Sequence, residues 1–120
     1  MATFTKTLLS GSSQGKAIKV VATASTGTTI HATGTSSTVI DEIWLYAYNS
    51  DTTARLLTIQ FGGTTTPDND IKVLIPSQSG LTLVVPGLIL TGNGAGASTV
   101  YAYAAAANVI QISGYVNRIS

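Results

Sequence analysis

The sequence contains no cysteine, a single histidine and few charged residues. Without cysteine the chain can form no disulfide, thiolate metal site or cysteine nucleophile, so its stability must come from packing or from partner subunits. Charged residues make up 9% of the 120 residues, against roughly 25% in an ordinary soluble domain. Six basic residues are scattered from Lys6 to Arg118, and five acidic ones leave a net charge of +1. Because there is no basic stripe, we expect no nucleic-acid partner.

Long apolar runs are also missing. The amino terminus lacks the uninterrupted stretch of roughly 7–15 apolar residues that a secretory signal needs, so we expect no such signal. The longest apolar segment, from Leu81 to Leu90, is interrupted by Thr82, Pro86 and Gly87. It is much shorter than the roughly 20 residues that span a bilayer, so we expect no membrane partner.

The chain is instead rich in hydroxyl-bearing and β-branched residues, with 19 threonines and 12 serines. Its length fits one domain. Short β-branched or alternating segments recur about every ten residues between glycine, proline and asparagine turns, a pattern typical of an antiparallel sandwich or barrel. The run of four alanines at residues 104–107 is too short to nucleate a helix. We predict an all-β fold of about eight strands, at residues 17–24, 28–33, 39–49, 55–61, 71–75, 79–90 with a break at Pro86-Gly87, 98–104 and 108–119.

The first residues have a different character. Residues 1–16 are rich in threonine, serine and glycine without a clear period, which predicts a flexible or extended N-terminal arm before a β-sandwich domain at residues 17–120. Phe4 and Leu8 share a face with Lys6 and could dock on a neighbour's sheet edge or groove. We expect the arm to serve attachment and to be ordered only in an assembly; a disordered terminus without a role is the alternative.

Aromatic residues form two stripes with a period of two, one on residues 44–48 and one on residues 101–103. Such stripes can stack sugars, but they also fill cores and subunit interfaces, because tyrosine and tryptophan combine large contact area with a polar group. With 44% hydrophobic residues, so small a chain has more apolar side chains than one core absorbs, so we expect some to be buried between subunits. The candidate interface residues are Phe4, Leu8, Trp44, Tyr46, Tyr48, Val84, Leu88, Leu90, Tyr101 and Tyr103.

Candidate catalytic residues are few. His31 could act in a Ser-His-Asp arrangement only if the fold brought a serine and an acid to it, and the alternative is a strand histidine that bonds a neighbour or faces water. Asp41 and Glu42 are adjacent in an extended segment, so their side chains point to opposite faces and cannot work as a paired acid and base. We therefore predict no catalytic residue and no enzyme.

Two loops resemble binding motifs only in part. Asp68-Asn69-Asp70 has calcium-type ligands but no third acid nearby, and a Pro-Asp-Asn turn explains the same residues. The glycines at 92, 94 and 96 could be mistaken for a dinucleotide fingerprint, but a strand pattern follows where that motif needs a helix. We read these segments as loops and predict neither a metal nor a cofactor.

Several segments together resemble a known family. The segments are Ile40-Asp41-Glu42-Ile43-Trp44-Leu45-Tyr46-Ala47-Tyr48-Asn49, Leu57-Thr58-Ile59-Gln60-Phe61-Gly62-Gly63-Thr64, Ile75-Pro76 with Gly80-Leu81, Val85-Pro86-Gly87-Leu88 and Ile112-Ser113-Gly114-Tyr115-Val116. In strand texture and order, roughly residues 28–119 resemble the small β-sandwich head decoration, or cement, proteins of tailed bacteriophages.

The resemblance implies a jelly-roll-like domain, a homotrimer, and the major capsid protein as a partner. It places the protein on the capsid surface of the virion after assembly in the host cytoplasm, where it would strengthen the head lattice. Two alternatives remain: a tail or fibre component, and a carbohydrate-binding or receptor-binding module that uses the tyrosine stripes.

Overall fold

The structure, a computed structural model, describes residues 2–120. In those residues it contains nine β-strands and no helix. The strands are β1 (Phe4–Leu8), β2 (Ile18–Lys19), β3 (Thr28–Ala32), β4 (Ile40–Asn49), β5 (Arg55–Phe61), β6 (Asp70–Ile75), β7 (Thr82–Leu90), β8 (Thr99–Ala104) and β9 (Ile110–Ile119). This confirms the predicted all-β class.

The strands form two antiparallel sheets that pack into a sandwich. The first sheet has the order β1-β9-β4-β7, with β2 also pairing with β9, and the second has the order β3-β8-β5-β6. The pairs β2·β9, β3·β8, β4·β7 and β5·β6 are nested along the chain, as if one long hairpin were wound around the sandwich. Such nesting is the connectivity of a jelly roll.

The core lies between the two sheets and follows from the alternation of each strand. On β4 the side chains of Ile43, Leu45 and Ala47 are fully buried, whereas those of Trp44, Tyr46 and Tyr48 on the opposite face are half-buried. Burial of each large aliphatic side chain stabilises the fold by about 1.5–3 kcal/mol. Further fully buried residues are Val20, Ile30, Leu57, Ile59, Ile75, Val85, Val100, Ala102, Ile110, Ile112 and Val116.

The break predicted at Pro86-Gly87 is replaced by a continuous strand. β7 runs through both residues, and two register shifts against β4, between Ile43 and Trp44 and between Leu45 and Tyr46, absorb the extra residues as bulges. Gly87 has a φ of +82°, which suits a bulge position. Proline is tolerated because β7 is an edge strand, where a missing N–H can face away from the ladder.

The N-terminal segment, predicted as a flexible or extended arm, is extended and pairs with the sandwich. β1 pairs with β9 from Phe4 opposite Ile119 to Leu8 opposite Tyr115. Leu9, which follows it, is 2% exposed within the core. The physical reason is that the alternating threonines of β1 suit an edge strand and Leu9 finds an apolar site between the sheets. The predicted strand at residues 17–24 is correspondingly short, since regular pairing covers only Ile18–Lys19.

Candidate functional site

The outer face of the first sheet carries an unusual number of apolar side chains. We define the aromatic face as Phe4, Leu8, Trp44, Tyr46, Tyr48, Leu83, Ile89 and Tyr115. Four of them are exposed to solvent, with exposed fractions of 72% for Phe4, 55% for Leu8, 46% for Leu83 and 58% for Ile89. The strand register makes them neighbours, because Trp44 lies between Tyr115 and Pro86, and Tyr46 lies opposite Leu83.

At the centre of this face the aromatic rings are held in place by polar contacts. The rings of Trp44 and Tyr115 stack with centroids 6.3 Å apart and planes 14° from parallel. Lys6 Nζ lies 4.8 Å from the centre of the Tyr115 ring, a cation–π distance. Glu42 Oε1 accepts hydrogen bonds from Trp44 Nε1 at 2.7 Å and from Asn117 Nδ2 at 3.0 Å. These two donors hold the pKa of Glu42 below its ordinary value, so the carboxylate stays ionised.

Gly87 leaves room for the indole of Trp44 on the β7 side. A Cβ at this position would lie 2.8 Å from Trp44 Cζ2, which is too close for any other residue without movement of the ring. Trp44 thus lies between Tyr115 on the β9 side and Gly87 on the β7 side. Tyr115 in turn lies between Trp44 and Lys6. Each ring therefore has a neighbouring protein group on two sides.

The structure separates the predicted interface residues into groups. Phe4, Leu8, Trp44, Tyr46 and Tyr48 come together on the aromatic face. Tyr101 and Tyr103 pair with Gln60 and Thr58 and lie on the outer face of the second sheet, so the two aromatic stripes cannot form one site.

One β7 residue of that prediction, Val84, requires correction. Val84 is 6% exposed within the core, because it is the extra residue of a bulge, so its assignment to an accessible surface is wrong. Leu88 and Leu90 pair with Ile43 and Asp41, whose side chains point inward. They therefore lie at the rim of the sandwich, where Leu90 packs against the core and Leu88 is 43% exposed.

Tyr115, Leu83 and Ile89 are members of the aromatic face that are absent from the predicted interface residues. Tyr115 follows Gly114, and this small residue interrupts the apolar alternation of β9. Leu83 looks like an ordinary core leucine until the bulge on β7 turns it outward opposite Tyr46. The period-two pattern of residues 113, 115 and 117 was the available signal for Tyr115.

A buried polar cluster joins the two sheets at His31, Asp41 and Arg118. His31 Nε2 lies 2.8 Å from Asp41 Oδ2, and Arg118 donates to both carboxylate oxygens, from Nε at 2.7 Å and Nη2 at 2.9 Å. His31 Nδ1 accepts the Ser10 N–H at 3.0 Å, so Nε2 carries the proton that is donated to Asp41. The imidazole is thus neutral, beside a carboxylate and a guanidinium.

The geometry of this cluster differs from that of a catalytic triad. His31 is 1% exposed, and both of its ring nitrogens are already engaged, so neither can accept a proton from a nucleophile without rearrangement. The Ser10 hydroxyl faces elsewhere, since it accepts the Ala32 N–H at 2.7 Å. As predicted, Asp41 and Glu42 point to opposite faces: Asp41 is buried and Glu42 lies on the aromatic face.

Asp41 makes the stability of the fold sensitive to acid. Burial raises the pKa of Asp41, but hydrogen bonds from Arg118 and His31 outweigh it and hold the pKa below the ordinary value of 3.8. A carboxyl whose pKa is depressed by folding stabilises the native state above its unfolded-state pKa, and this contribution is lost as the pH falls through the folded-state pKa. We therefore expect the stability due to Asp41 to be complete at neutral pH and to disappear below about pH 4.

The measurement is urea unfolding of the wild type and Asp41→Asn between about pH 7 and about pH 2. Glu42 and Asp51 also have lowered pKa values, so the wild-type curve alone does not isolate Asp41. The difference between the two proteins is expected to shrink as the pH falls. A difference that stays constant over the whole range would contradict this assignment.

The loop candidates behave as turns. Asn69 Oδ1 accepts the Thr65 N–H at 3.0 Å, and Asn93 Oδ1 accepts the N–H groups of Ala95 and Gly96 at 2.9 and 2.6 Å. The segment that contains Asn93 leads into strand β8. Among residues 2–120, no three histidine, aspartate or glutamate side chains gather as metal ligands.

In the part of the chain that the structure describes, no helix is long and apolar enough to cross a membrane. No protein-family model matches the chain, and no significant match was found among curated proteins or among solved structures.

Proposed function

We propose that this chain is a structural virion protein of a tailed bacteriophage, a homotrimer that decorates and stabilises the head. The observation that carries the proposal is the aromatic face, where exposed leucine, isoleucine and phenylalanine surround half-exposed aromatic rings. Contiguous apolar surface of this kind marks protein interaction sites. We assign this face to contacts between copies of the chain.

The charges of the aromatic face suit contact with further copies of the chain. Lys6 is placed over Tyr115 and Glu42 is bonded to Trp44 and Asn117. Lys19, opposite Gln111, lies at the end of the face. Burial of each exposed aliphatic or phenylalanine side chain contributes up to about 1.5–3 kcal/mol. Since few charges must be desolvated, association through this face leaves a favourable balance.

The virion assignment draws on the fold and on the family resemblance. Jelly rolls recur in viral capsid and lectin domains, but a fold alone does not define a function. For attachment to the capsid we propose the loops at residues 62–69 and 91–98, because β1 is already paired with β9. These loops lie at the same end of the sandwich, where Gly62 N–H bonds to Thr99 O at 3.1 Å.

Light scattering on the purified protein tests the oligomer, and we expect the mass of three chains of 12.3 kDa. A monomer at micromolar concentration would refute the assignment of the aromatic face. Binding to undecorated phage heads tests the second half of the proposal. A trimer that does not bind heads would retain the interface and reject the decoration function.

Sugar binding is the second candidate, favoured by the half-exposed Tyr101 and Tyr103 on the second sheet. It is disfavoured at Trp44 and Tyr115, because these rings already lie against each other and against Gly87 and Lys6. Binding on a glycan array that disappears in Tyr101→Ala and Tyr103→Ala would support this candidate.

A further inference from the structure

The outer face of the second sheet contains a pocket of about 130 Å³. Its lining residues come from three strands and from the two segments beside them, namely Thr23, Leu56, Thr58, Lys72, Tyr103, Ala104 and Ala105. The pocket and the aromatic face are on opposite sides of the sandwich. An inference about this pocket is therefore independent of the proposed function.

The pocket exists because the loop between β2 and β3 crosses an otherwise flat sheet. Gln60, which points outward from β5, accepts the Gly27 N–H at 2.9 Å and donates to Ser25 Oγ at 2.9 Å. The loop is also fastened to the end of β8, since Ala104 N–H bonds to Ala22 O at 3.1 Å. Thr23 thus forms a wall that is held at both ends, beside a gap that the loop does not fill.

The size of the pocket limits its ligand. A water molecule occupies about 30 Å³ of the liquid, and a dry cavity of about 150 Å³ accepts a benzene ring. The pocket can therefore take a group of a few carbon atoms. Leu56 and Ala105 supply apolar contacts for such a group.

The charge of the residues that line the pocket favours an anion. Lys72 is its only ionisable lining residue besides Tyr103, none of the lining residues is acidic, and within residues 2–120 Lys72 forms no salt bridge. The threonine and tyrosine hydroxyls can donate further hydrogen bonds. One lysine with hydroxyl donors matches a monoanion, whereas phosphate is usually bound by several positive charges or by a helix N-terminus.

We propose that this pocket binds a small aliphatic carboxylate, with the carboxylate at Lys72 and the hydroxyls and the carbon chain against Leu56 and Ala105. The same chemistry can come from a free short-chain acid or from an acidic side chain of another polypeptide.

The test is a titration with sodium propionate at constant ionic strength, followed by the amide NMR spectrum of the full chain. We expect saturable shifts at the lining residues with a dissociation constant on the order of 1–10 mM. Propionamide, which has the same shape without the charge, should bind at least about tenfold more weakly. A parallel titration with N-acetylglutamate amide distinguishes the sources: tighter binding than propionate indicates an acidic side chain, and weaker binding a free acid.

Three variants complete the test. Lys72→Gln should weaken propionate binding about tenfold or more, and Ala105→Leu should block it by filling the pocket. Lys16→Gln removes the same charge from an exposed position outside both the pocket and the aromatic face and should leave binding unchanged. The proposal is overturned if the shifts do not saturate, if propionamide binds as well as propionate, or if Lys72→Gln with an unchanged melting temperature binds like the wild type.

Discussion

Asp41→Asn is expected to lower the free energy of unfolding by about 3 kcal/mol or more. Asp41 is 1% exposed, and its carboxylate is the shared acceptor for Arg118 and the His31 Nε2 proton. The amide of asparagine carries no charge, so the guanidinium loses its counter-charge. Only the oxygen of the amide can accept hydrogen bonds, so the amide cannot replace both carboxylate oxygens. A buried ion pair that loses one partner costs far more than a surface pair.

A matched control is available on the surface. Asp51 Oδ2 lies 2.7 Å from Arg55 Nε, and the two side chains are 22% and 32% exposed. Asp51→Asn therefore removes an aspartate that also pairs with an arginine, as Asp41→Asn does, but at the surface. Its cost is expected to be much smaller than that of Asp41→Asn, because a solvent-exposed ion pair contributes little to stability. Denaturant unfolding compares the variants. Equal losses in both would show that the buried cluster does not join the sheets as we describe.

Gly114→Ala is expected to cost about 3 kcal/mol and to disturb the aromatic face. A Cβ at Gly114 would overlap the carbonyl oxygen of Trp44 and would lie 3.2 Å from the Cα of Leu45. Both atoms belong to the main chain of β4, so only separation of β9 from β4 can relieve the overlap. Such separation would displace Tyr115 from Trp44, and we expect the near-ultraviolet circular dichroism of the stacked rings to weaken.

Gly96→Ala is the control for this substitution. The nearest heavy atom to a Cβ at Gly96 is 3.9 Å away, so the change should stay within about 0.5 kcal/mol. A Gly114→Ala variant as stable as the wild type, with an unchanged aromatic spectrum, would contradict the packing of β9 against β4.

The strands that alternate clearly were predictable from the sequence. β4 was expected at residues 39–49 and lies at Ile40–Asn49, and β5 was expected at the observed residues 55–61. Period two decides which side chains enter the core without reference to the rest of the fold. The course of β7 was not predictable in this way, because an edge strand tolerates Pro86 and a bulge uses Gly87. The ninth strand, β1, was not predicted either, because its residues lie within the predicted arm.

The site residues depend on topology. Arg118 reaches Asp41 across 77 positions of sequence, and only the order β1-β9-β4-β7 places Phe4, Tyr115, Trp44 and Leu83 on one surface. The pocket depends on the course of the loop between β2 and β3, for which sequence periodicity contains no signal. Residue patterns therefore predicted the core, and strand pairing was needed to identify the surfaces.

The central claim is that copies of the chain associate through the aromatic face, and one paired substitution tests it. Leu83→Lys places a charge within this face, and Leu74→Lys places the same charge on the outer face of the second sheet. Both side chains are exposed in the native fold, Leu83 to 46% and Leu74 to 62%. With circular dichroism confirming the fold, light scattering should give a trimer for the wild type and Leu74→Lys, and a 12.3 kDa monomer for Leu83→Lys. A monomeric wild type, or a trimer that survives Leu83→Lys, would contradict the claim.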